Sequence, residues 1–461
     1  MKSQRILVAL LAAVLLVAGC SGRTGRGTEE GPPPSQSPAK AVSSDFGDLR
    51  DVCQGGKSTS SPTQGVTADR IQVGTFTDMG FTKVSELVDT AKVFTSWCND
   101  NGGINGRKLA YNVRDAKLME YRQRMLDACR QDFALVGGFG ALDALGVKDR
   151  LSCTLPEFPS QLTSAASTGS DLQVGGGASS ARPFDPFTGM HQWLFKEAYP
   201  DSAKAVGLIV ADIPVTKSMA ERYTEALPAQ GASLVYNDLF PAAGVSDWTP
   251  YAQAIKSKGV KGLVFLGDFP SLAKLEDVLT SMDYKLDWID SNPNSYNPAF
   301  LQAAANSLSA QNNYADLSGT LPLELADSNP VVKQAQDMFA QYAPGKKLTY
   351  PGMRGLVQWL LFAKSAASCG DNLTRTCLLD AARKETAWTA GGLQAPADMS
   401  DSKIPPKCFN VVKATPNGFE VADFKPDNGP YRCDMDATVL SGDYGKPMTL
   451  ADVGKSMSDV K

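Results

Sequence analysis

The chain has 461 residues, of which 43% are hydrophobic and 20% are charged, and its formal net charge is −4. This acidic balance, with no basic stripe, excludes a protein that grips nucleic acid through a positively charged surface. About 400 residues remain beyond the amino-terminal region described next, which is enough for two or three domains with sizeable cores.

The first twenty residues have the pattern of a secretion signal. Lys2 and Arg5 precede an apolar run of thirteen residues, 6–18, and the small-residue site "VAGC" ends at Cys20. A membrane-spanning helix needs about 20 residues, so this run is too short to be one. "LVAGC" resembles the lipobox of bacterial lipoproteins, which implies that residues 1–19 are removed and that Cys20 carries the lipid. The alternative is an ordinary signal peptide with an accidental cysteine.

Residues 20–64 are predicted to form a disordered tether. The stretch "SGRTGRGTEEGPPPSQSPAKAVSS" is rich in Gly, Pro, Ser and Thr and has almost nothing to bury. Removal of Lys2 and Arg5 with the signal changes the net charge from −4 to −6. No later apolar run approaches membrane-spanning length, the nearest being the nine residues of "GLVQWLLFA".

From residue 71 onward, short apolar runs alternate with amphipathic stretches. "IQVGTF" predicts a buried strand, and apolar residues at helical spacing between Val84 and Trp97 predict a helix. "KLAYNVRD" predicts the next strand, "LMEYRQRMLDACRQ" the next helix, and "FALVGG" and "CTLPEF" two further strands. This alternation indicates an open parallel sheet with right-handed helical crossovers.

The same alternation restarts after the loop-rich passage "GSDLQVGGGASSARPFDP". Strands are predicted at "AKAVGLIVAD", "ASLVYN", "VKGLVFLGD" and "KLDWIDS", with helices between them. From about residue 329 the chain becomes helical, and two short strands, "CFNVVKA" and "GFEVADF", follow. The predicted fold is α/β, with two doubly wound Rossmann-like lobes joined by a multi-crossing hinge. The ligand cleft should lie between the lobes, because such sheets bind ligands at the carboxyl ends of their strands.

Two motifs in the first lobe carry a family resemblance. "GVTADRIQVG" and "NDNGGINGRKLAYNVRD" resemble type I periplasmic binding proteins, the leucine/isoleucine/valine-binding class of solute receptors for ABC transporters. Those sequences typically open GVT-x-x-x-I-x-I-G and continue N-x-x-GGINGRK into a strand that ends in Asp. The matching residues here are Gly65, Val66, Thr67, Ile71, Gly74, Asn99, the run 102–108 and Asp115. The general likeness covers residues 65–434. Gly103 and Gly106 would allow a tight reversal at the amino edge of the sheet, so the connector is interpreted as structural.

The resemblance implies capture of a small polar solute, such as an amino acid or an amide, by lobe closure and its delivery to the permease subunits of an ABC importer. It implies no covalent chemistry, no cofactor and no metal. The expected domains are lobe 1 at 65–185 and 320–400, lobe 2 at 186–319 and 401–440, and a tail at 441–461. Crossings between the lobes are expected near residues 183–186 and 317–322.

Two other functional classes stay open. In an exported enzyme with Ser-His-Asp or Cys-His chemistry, the single histidine, His191, would have to act, but it sits in the amphipathic pattern "GMHQWLFKEAY", which favours a packing or surface role. "VGGFGALDA" is only weak evidence for phosphate binding. In a ligand sensor or adhesion module, the same fold would serve without transport, and a neighbouring gene for a permease or a kinase would distinguish these roles.

Candidate ligand-binding residues follow the carboxyl ends of the predicted strands. They are Thr77, Asp78, Phe139, Gly140, Ser160 and Gln161 in lobe 1, and Asp212, Asp268, Asp290 and Asn292 in lobe 2. Amino-acid-binding members of the family use small hydroxyl residues and backbone N–H groups of the first lobe for the ligand carboxylate, and an acidic group of the second lobe for the ammonium. This chain has Phe139-Gly140-Ala141 where a Ser is expected, and its first loop, "TDMGFTK", lacks the usual Ser-Gly, so branched-chain specificity is not implied. The three aspartates predict a ligand with an ammonium or amide donor.

Besides Cys20 the chain has eight cysteines, which predicts four disulfides in an oxidising compartment. Neither a C-x-x-C motif nor a Cys/His cluster indicates a metal site. Proximity in sequence favours Cys369–Cys377, and a bridge across the terminal strands favours Cys408–Cys433. A sheet of order 2-1-3-4 has helices two and three on one face, which favours Cys129–Cys153 and leaves Cys53–Cys98.

Overall fold

The computed structural model describes residues 44–175 and 182–461. The predicted signal sequence and Cys20 lie outside the described residues. The described chain contains two sheets, one in each lobe, and both are mainly parallel. None of its helices combines the length and the apolar character that a membrane crossing requires.

The first sheet has four parallel strands in the order β2-β1-β3-β4. Its strands are β1 (Arg70–Thr77), β2 (Lys108–Asp115), β3 (Leu135–Val136) and β4 (Glu157–Phe158). This order is the one predicted from the alternation of strands and helices.

The second sheet has seven strands in the order β11-β10-β9-β8-β7-β5-β6. They are β5 (Val206–Ala211), β6 (Leu234–Phe240), β7 (Gly262–Leu266), β8 (Trp288–Asp290), β9 (Asn313–Asp316), β10 (Val411–Thr415) and β11 (Gly418–Val421). Only β10 and β11 run antiparallel to their neighbours. The two late strands therefore complete the second lobe.

Helices cover both sheets. Those of the first lobe are α1 (Met79–Thr82), α2 (Glu86–Asp100), α3 (Tyr121–Gln131), α4 (Val147–Ser152), α10 (Pro330–Tyr342), α11 (Tyr350–Ser368) and α12 (Arg375–Ala382). Those of the second lobe are α5 (Thr188–Trp193), α6 (Pro214–Ala229), α7 (Thr249–Ser257), α8 (Phe269–Ser281) and α9 (Pro298–Ala303).

Each lobe has its own apolar core. In lobe 1, α11 is buried along most of its length, and Trp359 stacks on Phe94 of α2 with 5.4 Å between ring centroids. In lobe 2, the sheet has a core on each face, because alternate residues of β5 point in opposite directions. Leu208 and Val210 enter one core, and Ile209 enters the other.

The segment 44–64 corrects the predicted tether, which was expected to extend to residue 64. Phe46 is completely buried in the first lobe, with its ring 6.3 Å from that of Trp97. Thr59 binds Asp371 through its backbone N–H and its hydroxyl, each at 2.8 Å. One buried aromatic residue and these bonds fix a stretch whose composition is that of a linker, so a tether can extend no further than residue 43.

The GGING connector is a turn at the amino edge of the first sheet. Gly103 and Gly106 have φ angles of 84° and 85°, and a Cβ atom at either would lie within 2.2 Å of a backbone carbonyl oxygen. The next residue, Arg107, is buried and donates hydrogen bonds to the carbonyls of Thr67, at 2.8 Å, and Gly370, at 3.0 Å. The connector thus holds the strand entry in position at the edge opposite the cleft.

Within residues 44–175 and 182–461, four segments adjoin both lobes and are called passages below. The first passage ends at Phe184, which pairs with Val439, and the second, residues 317–322, pairs with the third at Thr320 and Gln394. Asn410 ties the second passage to the third, because its side chain donates to the carbonyl of Thr320 at 2.6 Å and accepts from the N–H of Gly319 at 2.9 Å.

The fourth passage is the segment 440–450, which the sequence assigned to the end of lobe 2 and a tail. At the second lobe, the side chain of Glu225 accepts hydrogen bonds from the Ser441 hydroxyl, at 2.8 Å, and from the Gly442 N–H, at 3.1 Å. At the first lobe, Leu450 is buried, and its N–H donates to the carboxylate of Asp171 at 2.7 Å. The segment therefore connects the two lobes.

Four disulfides are formed in the described chain, and they join the pairs that the sequence favoured. They are Cys53–Cys98, Cys129–Cys153, Cys369–Cys377 and Cys408–Cys433. The first three lie within the first lobe, and the fourth joins the third passage to the segment after β11.

Candidate ligand-binding cleft

The carboxyl edges of the two sheets meet at a small group of side chains, which we call the cleft floor: Gln161, Tyr296, Tyr350 and Arg354. Arg354 of α11 donates to the Oε1 atom of Gln161 at 3.4 Å. The Tyr350 hydroxyl donates to the carbonyl of Leu317, just after β9, at 3.2 Å. Tyr296, from the loop after β8, contacts Tyr350 edge to face with 5.8 Å between ring centroids. The floor thus joins the strand ends of both lobes.

In lobe 1, the carboxylate of Asp78 joins three loops. Its two carboxylate oxygens accept hydrogen bonds from the N–H groups of Leu118 and Ala141, each at 2.7 Å, and its side chain is buried. Thr77 is also buried, and its hydroxyl oxygen accepts from the N–H of Met79 at 3.1 Å. Both residues shape the edge of the cleft.

Gly140 explains why this chain lacks the serine that the resemblance implies after β3. A Cβ atom at Gly140 would lie 2.5 Å from the ring of Tyr121, so the loop has no space for a side chain. The adjacent Phe139 is partly exposed, and its N–H donates to the carbonyl of Phe76 at 3.1 Å. Ser160 is buried and donates its hydroxyl to the carbonyl of Gly138 at 3.0 Å. These residues lie at one edge of the sheet, and the polar groups named here form hydrogen bonds within lobe 1.

In lobe 2, two of the three predicted aspartates have local partners. Asp212 follows β5 and forms a half-exposed ion pair with Lys217 at 3.0 Å. Asp268 follows β7 and caps α8, where its carboxylate accepts from the N–H of Ser271 at 2.9 Å. Each carboxylate thus has one local partner and is exposed at its strand end.

The third aspartate, Asp290, lies below the surface of the cleft. It is buried and accepts a hydrogen bond from the Nε2 atom of His191 at 3.0 Å and another from the N–H of Asn292 at 3.0 Å. Asn292 has a φ angle of 50°, and its amide donates to the carbonyl of Phe265 at 3.2 Å. Of the three aspartates, only Asp290 is buried, whereas Asp212 and Asp268 are exposed.

His191 lies at the centre of a buried charged network. Its Nδ1 atom is 3.3 Å from Asp185, and Asp185 also accepts from the amide of Gln230 at 2.7 Å. Burial opposes the charge on His191, but the hydrogen bonds to Asp185 and Asp290 outweigh it and raise the pKa of the imidazole to about 10. Burial also opposes the charge on Asp185, yet the interaction with His191 holds its pKa below the ordinary value. The packing role expected for His191 is therefore that of a buried cation between two carboxylates.

Asp316, at the end of β9, adjoins the same network. Burial raises the pKa of Asp316 to about 8, although the N–H of Ser318 donates to one of its oxygens at 2.7 Å. Its other oxygen and the hydroxyl of Tyr223 are buried without a hydrogen-bond partner. Because Asp316 and Asp185 lie beside the second and first passages, the network adjoins both passages.

Sequence reasoning missed the aromatic and basic residues of the cleft floor. Tyr350 and Arg354 lie in the first turns of α11, and Arg354 follows Gln161 by 193 residues in sequence, so strand ends alone could not identify them. Arg182, at the first passage, was missed as well. Burial and the neighbouring charge of Arg354 lower the pKa of Arg182 to about 10, while Asp401 acts in the opposite direction. A signal was present in the Pro and aromatic residues around Arg182 in "SARPFDP".

A cavity of about 710 Å³ lies beside the passages rather than at the strand ends. Arg182, Ser318, Gln358 and Ile404 contribute to its wall. The ten predicted ligand-binding residues are all among the described residues, and none of them lines it. The described chain also contains no group of three or more His, Cys, Asp or Glu side chains arranged to hold a metal ion.

Two mainly parallel sheets, one in each lobe, with several passages between the lobes form the architecture of a known family. The sequence agrees with this assignment. The model of the periplasmic binding protein family matches residues 73–418. The chain belongs to this family. Its membership implies a solute-binding role and an extracytoplasmic location. A search of curated protein sequences found no significant match.

Solved structures with the same fold include several substrate-binding proteins of ABC transporters. A fatty acid ABC transporter substrate-binding protein from Thermomonospora curvata has 19% identity and a TM-score of 0.65, covering 78% of this chain and 93% of that one. A branched-chain amino acid transporter substrate-binding protein from Streptococcus pneumoniae, solved with isoleucine, has 16% identity and a TM-score of 0.62, covering 77% and 99%. A leucine-binding protein from Thermotoga maritima has 13% identity and a TM-score of 0.58, covering 76% and 97%. At these identities the likeness establishes the fold alone.

Proposed function

We propose that this protein is the solute receptor of an ABC importer, which captures a small organic molecule between its lobes and delivers it to the permease subunits. The observation that carries the proposal is the cleft floor, where the carboxyl edges of two parallel sheets meet beside the interlobe passages. A solute held there would contact both lobes at once. Its binding energy would then favour the closed arrangement over the open one, without covalent chemistry.

The lobes in this proposal are residues 65–185 with 320–400, and 186–319 with 401–440. The passages between them would act as the hinge, since a few loop residues can absorb the change in backbone angles on closure. Family membership and the ABC transporter proteins of the same fold support the permease as the partner.

The proposal includes a lipid anchor at Cys20, after removal of residues 1–19. Acyl chains contribute about 0.8 kcal/mol per buried methylene, so a multiply acylated cysteine would hold the protein at the membrane surface. A Cys20→Ser variant should lose incorporation of labelled palmitate and leave the membrane fraction. Unchanged membrane retention and labelling in that variant would contradict the anchor.

The family resemblance implies that the solute is an amino acid, an amide or a related polar compound. The protein solved with isoleucine supports this expectation only through the shared fold. The acidic side chains expected to bind an ammonium group have other partners, namely Lys217, the amino terminus of α8, and His191. The ligand class must therefore be tested over a wider range of solutes.

A thermal-shift screen of the mature chain tests the function. The solutes are amino acids, amides, polyamines, aromatic acids and aliphatic acids. A ligand present at 100 times its dissociation constant stabilises the folded state by about 2.7 kcal/mol, so a true solute should raise the melting temperature in a saturable way. A screen in which no class of solute raises the melting temperature would contradict the proposal, as would chemical conversion of a bound solute.

A further inference from the structure

The cavity of about 710 Å³ beside the passages, called the hinge cavity below, has walls from several parts of the chain. Residues between 169 and 175 of lobe 1 form one side, and residues 394–408 of the third passage form another. Phe184 of the first passage and Ser318 of the second passage also line it. Small-molecule pockets have volumes of about 300 to 1,000 Å³. The hinge cavity is therefore large enough for a ligand of disaccharide size.

Hydrogen bonds within the protein join the different sides of this cavity. The guanidinium of Arg182 donates to the carbonyl of Gly175, at 3.5 Å, and to the carbonyl of Ser402 on the third passage. The N–H of Ala395 donates to the carbonyl of Gly319 on the second passage at 2.8 Å. The walls are thus held in position by the chain itself.

Gln358 of α11 is the buried polar residue in this wall that lacks a partner. Its side chain is 4% exposed, and its Oε1 atom forms no hydrogen bond with any of the described residues. The amide lies against Gly175 of the same wall, where a Cβ atom would be 2.4 Å from Oε1. A buried amide without a partner destabilises the folded chain. A ligand in the hinge cavity would supply the missing hydrogen bond.

Neither sign of charge prevails in the cavity wall. The described lining contains four basic and three acidic side chains, and Asp401, Lys403 and Lys407 among them are exposed to solvent. The buried Arg182 already has two carbonyl partners. A charged ligand would lose its water without gaining a buried and opposite charge in return. The wall therefore favours a neutral ligand.

Apolar surface accompanies the amide. Ile404 is 42% exposed, and it lies in the third passage beside Pro405 and Pro406, which also line the cavity. Phe184 contributes from the first passage. Sugars and related polyols suit such a wall, because their hydroxyl groups both donate and accept hydrogen bonds while their C–H groups contact apolar side chains.

We propose that the hinge cavity is a second ligand site, separate from the cleft, that binds a neutral polyhydroxylated molecule of about disaccharide size. The amide of Gln358 would bind its hydroxyl groups, and Ile404 with the adjacent prolines would contact its C–H groups. This inference does not depend on the proposed transport function, because none of the residues that carry it belongs to the cleft floor.

Isothermal titration of the mature chain tests the proposal with a matched pair of probes. Maltitol and maltobionate have the same size and differ at one terminal carbon, which carries a hydroxyl group in the first and a carboxylate in the second. Maltitol should bind in a saturable way and more tightly than maltobionate. Trehalose and sucrose serve as further neutral probes. Titration is preferred to a thermal shift, because sugars stabilise many proteins by exclusion from their surface.

Variants of the wall locate the bound probe. Gln358→Leu should weaken maltitol about tenfold or more, because it removes a donor and an acceptor from the site. Without ligand its melting temperature should not fall, since leucine replaces an amide that lacks a partner. Ile404→Ser should weaken maltitol about fourfold or more, the factor that one buried methylene contributes. Gln123→Leu, exposed on α3, is the matched control and should bind maltitol as the parent does.

The outcomes separate this site from the cleft. A chain that binds none of the three neutral probes, or a Gln358→Leu variant with the parent's affinity for maltitol, would overturn the proposal. Equal or tighter binding of maltobionate would overturn the neutral ligand class. A lower melting temperature of ligand-free Gln358→Leu would show that the amide is structural. Maltitol binding that is lost in Gln161→Leu and retained in Gln358→Leu would place the sugar in the cleft, which contradicts the second site but not the receptor function.

Discussion

Replacement of His191 by phenylalanine should destabilise the second lobe strongly. The side chain is completely buried, and its ring nitrogens lie 3.3 Å and 3.0 Å from the carboxylates of Asp185 and Asp290. Phenylalanine keeps a ring of similar size in the position that stacks near Phe195 but removes the cation. Breaking a buried ion pair by removing one partner costs about 3 to 5 kcal/mol, because the remaining charge has lost its counterion.

The assay is urea unfolding of the disulfide-intact chain, read from the transition midpoint. The double variant His191→Phe/Asp290→Asn should recover part of the lost stability, because it removes one of the two carboxylate charges that have lost their counterion. Lys204→Ala is the surface control. Its partner is Asp201, both side chains are about four-fifths exposed, and the loss should stay below about 1 kcal/mol.

The pH dependence of the stability lost in the His191→Phe variant provides a second test. The pKa of His191 is raised from 6.5 to about 10 in the folded protein, so its stabilising effect is fully present below pH 6.5 and disappears as the pH rises through about 10. The difference in the free energy of unfolding between the parent and the His191→Phe variant should become smaller over that pH range. A loss below about 1 kcal/mol near neutral pH, or a difference that does not change up to high pH, would refute the assignment of His191 as a buried cation.

Two further predictions concern other buried sites. Burial raises the pKa of Glu276 from 4.5 to about 8, so the folded state holds a proton that the unfolded state releases, and stability falls as the pH rises through this window. Between about pH 5 and pH 8, the urea midpoint of the Glu276→Gln variant should rise relative to that of the parent. A constant difference between the two midpoints over this pH range would contradict the prediction. Gly140→Ala should cost about 1 to 3 kcal/mol, because the new methyl group would meet the ring of Tyr121, whereas Gly55→Ala, with open space around it, should be nearly neutral. Equal stability of the two alanine variants in thermal unfolding would disprove the crowding.

The sequence allowed the fold to be predicted because its signals are local. The apolar runs that became β1 and β5 are buried along nearly all of their length, and the alternation of strands with helices implied the order of the first sheet. The glycines of the GGING connector have the positive φ angles that a tight reversal requires. Such features depend on neighbours in sequence, so a single chain displays them.

The candidate site was harder to predict, because it depends on long-range contacts. The strand ends identified Asp290 correctly as an edge residue. Its partner His191, however, is 99 residues away in sequence, and the two side chains form a buried ion pair. Arg354 comes to the cleft on a helix from the chain's later, helical part. Residues 44–64 have a linker's composition, and only the burial of Phe46 and the bonds to Asp371 reveal that they are folded. Composition and periodicity contain no information on such pairings.

The central claim is that a solute closes the two lobes on each other, and small-angle X-ray scattering of the mature chain tests it most directly. The solute with the largest thermal shift is added at about 100 times its dissociation constant, where nearly all of the protein is bound. We expect the radius of gyration to fall as the solute binds and to reach a constant, lower value at saturation. A solute that binds tightly and leaves the scattering curve unchanged would contradict capture by lobe closure.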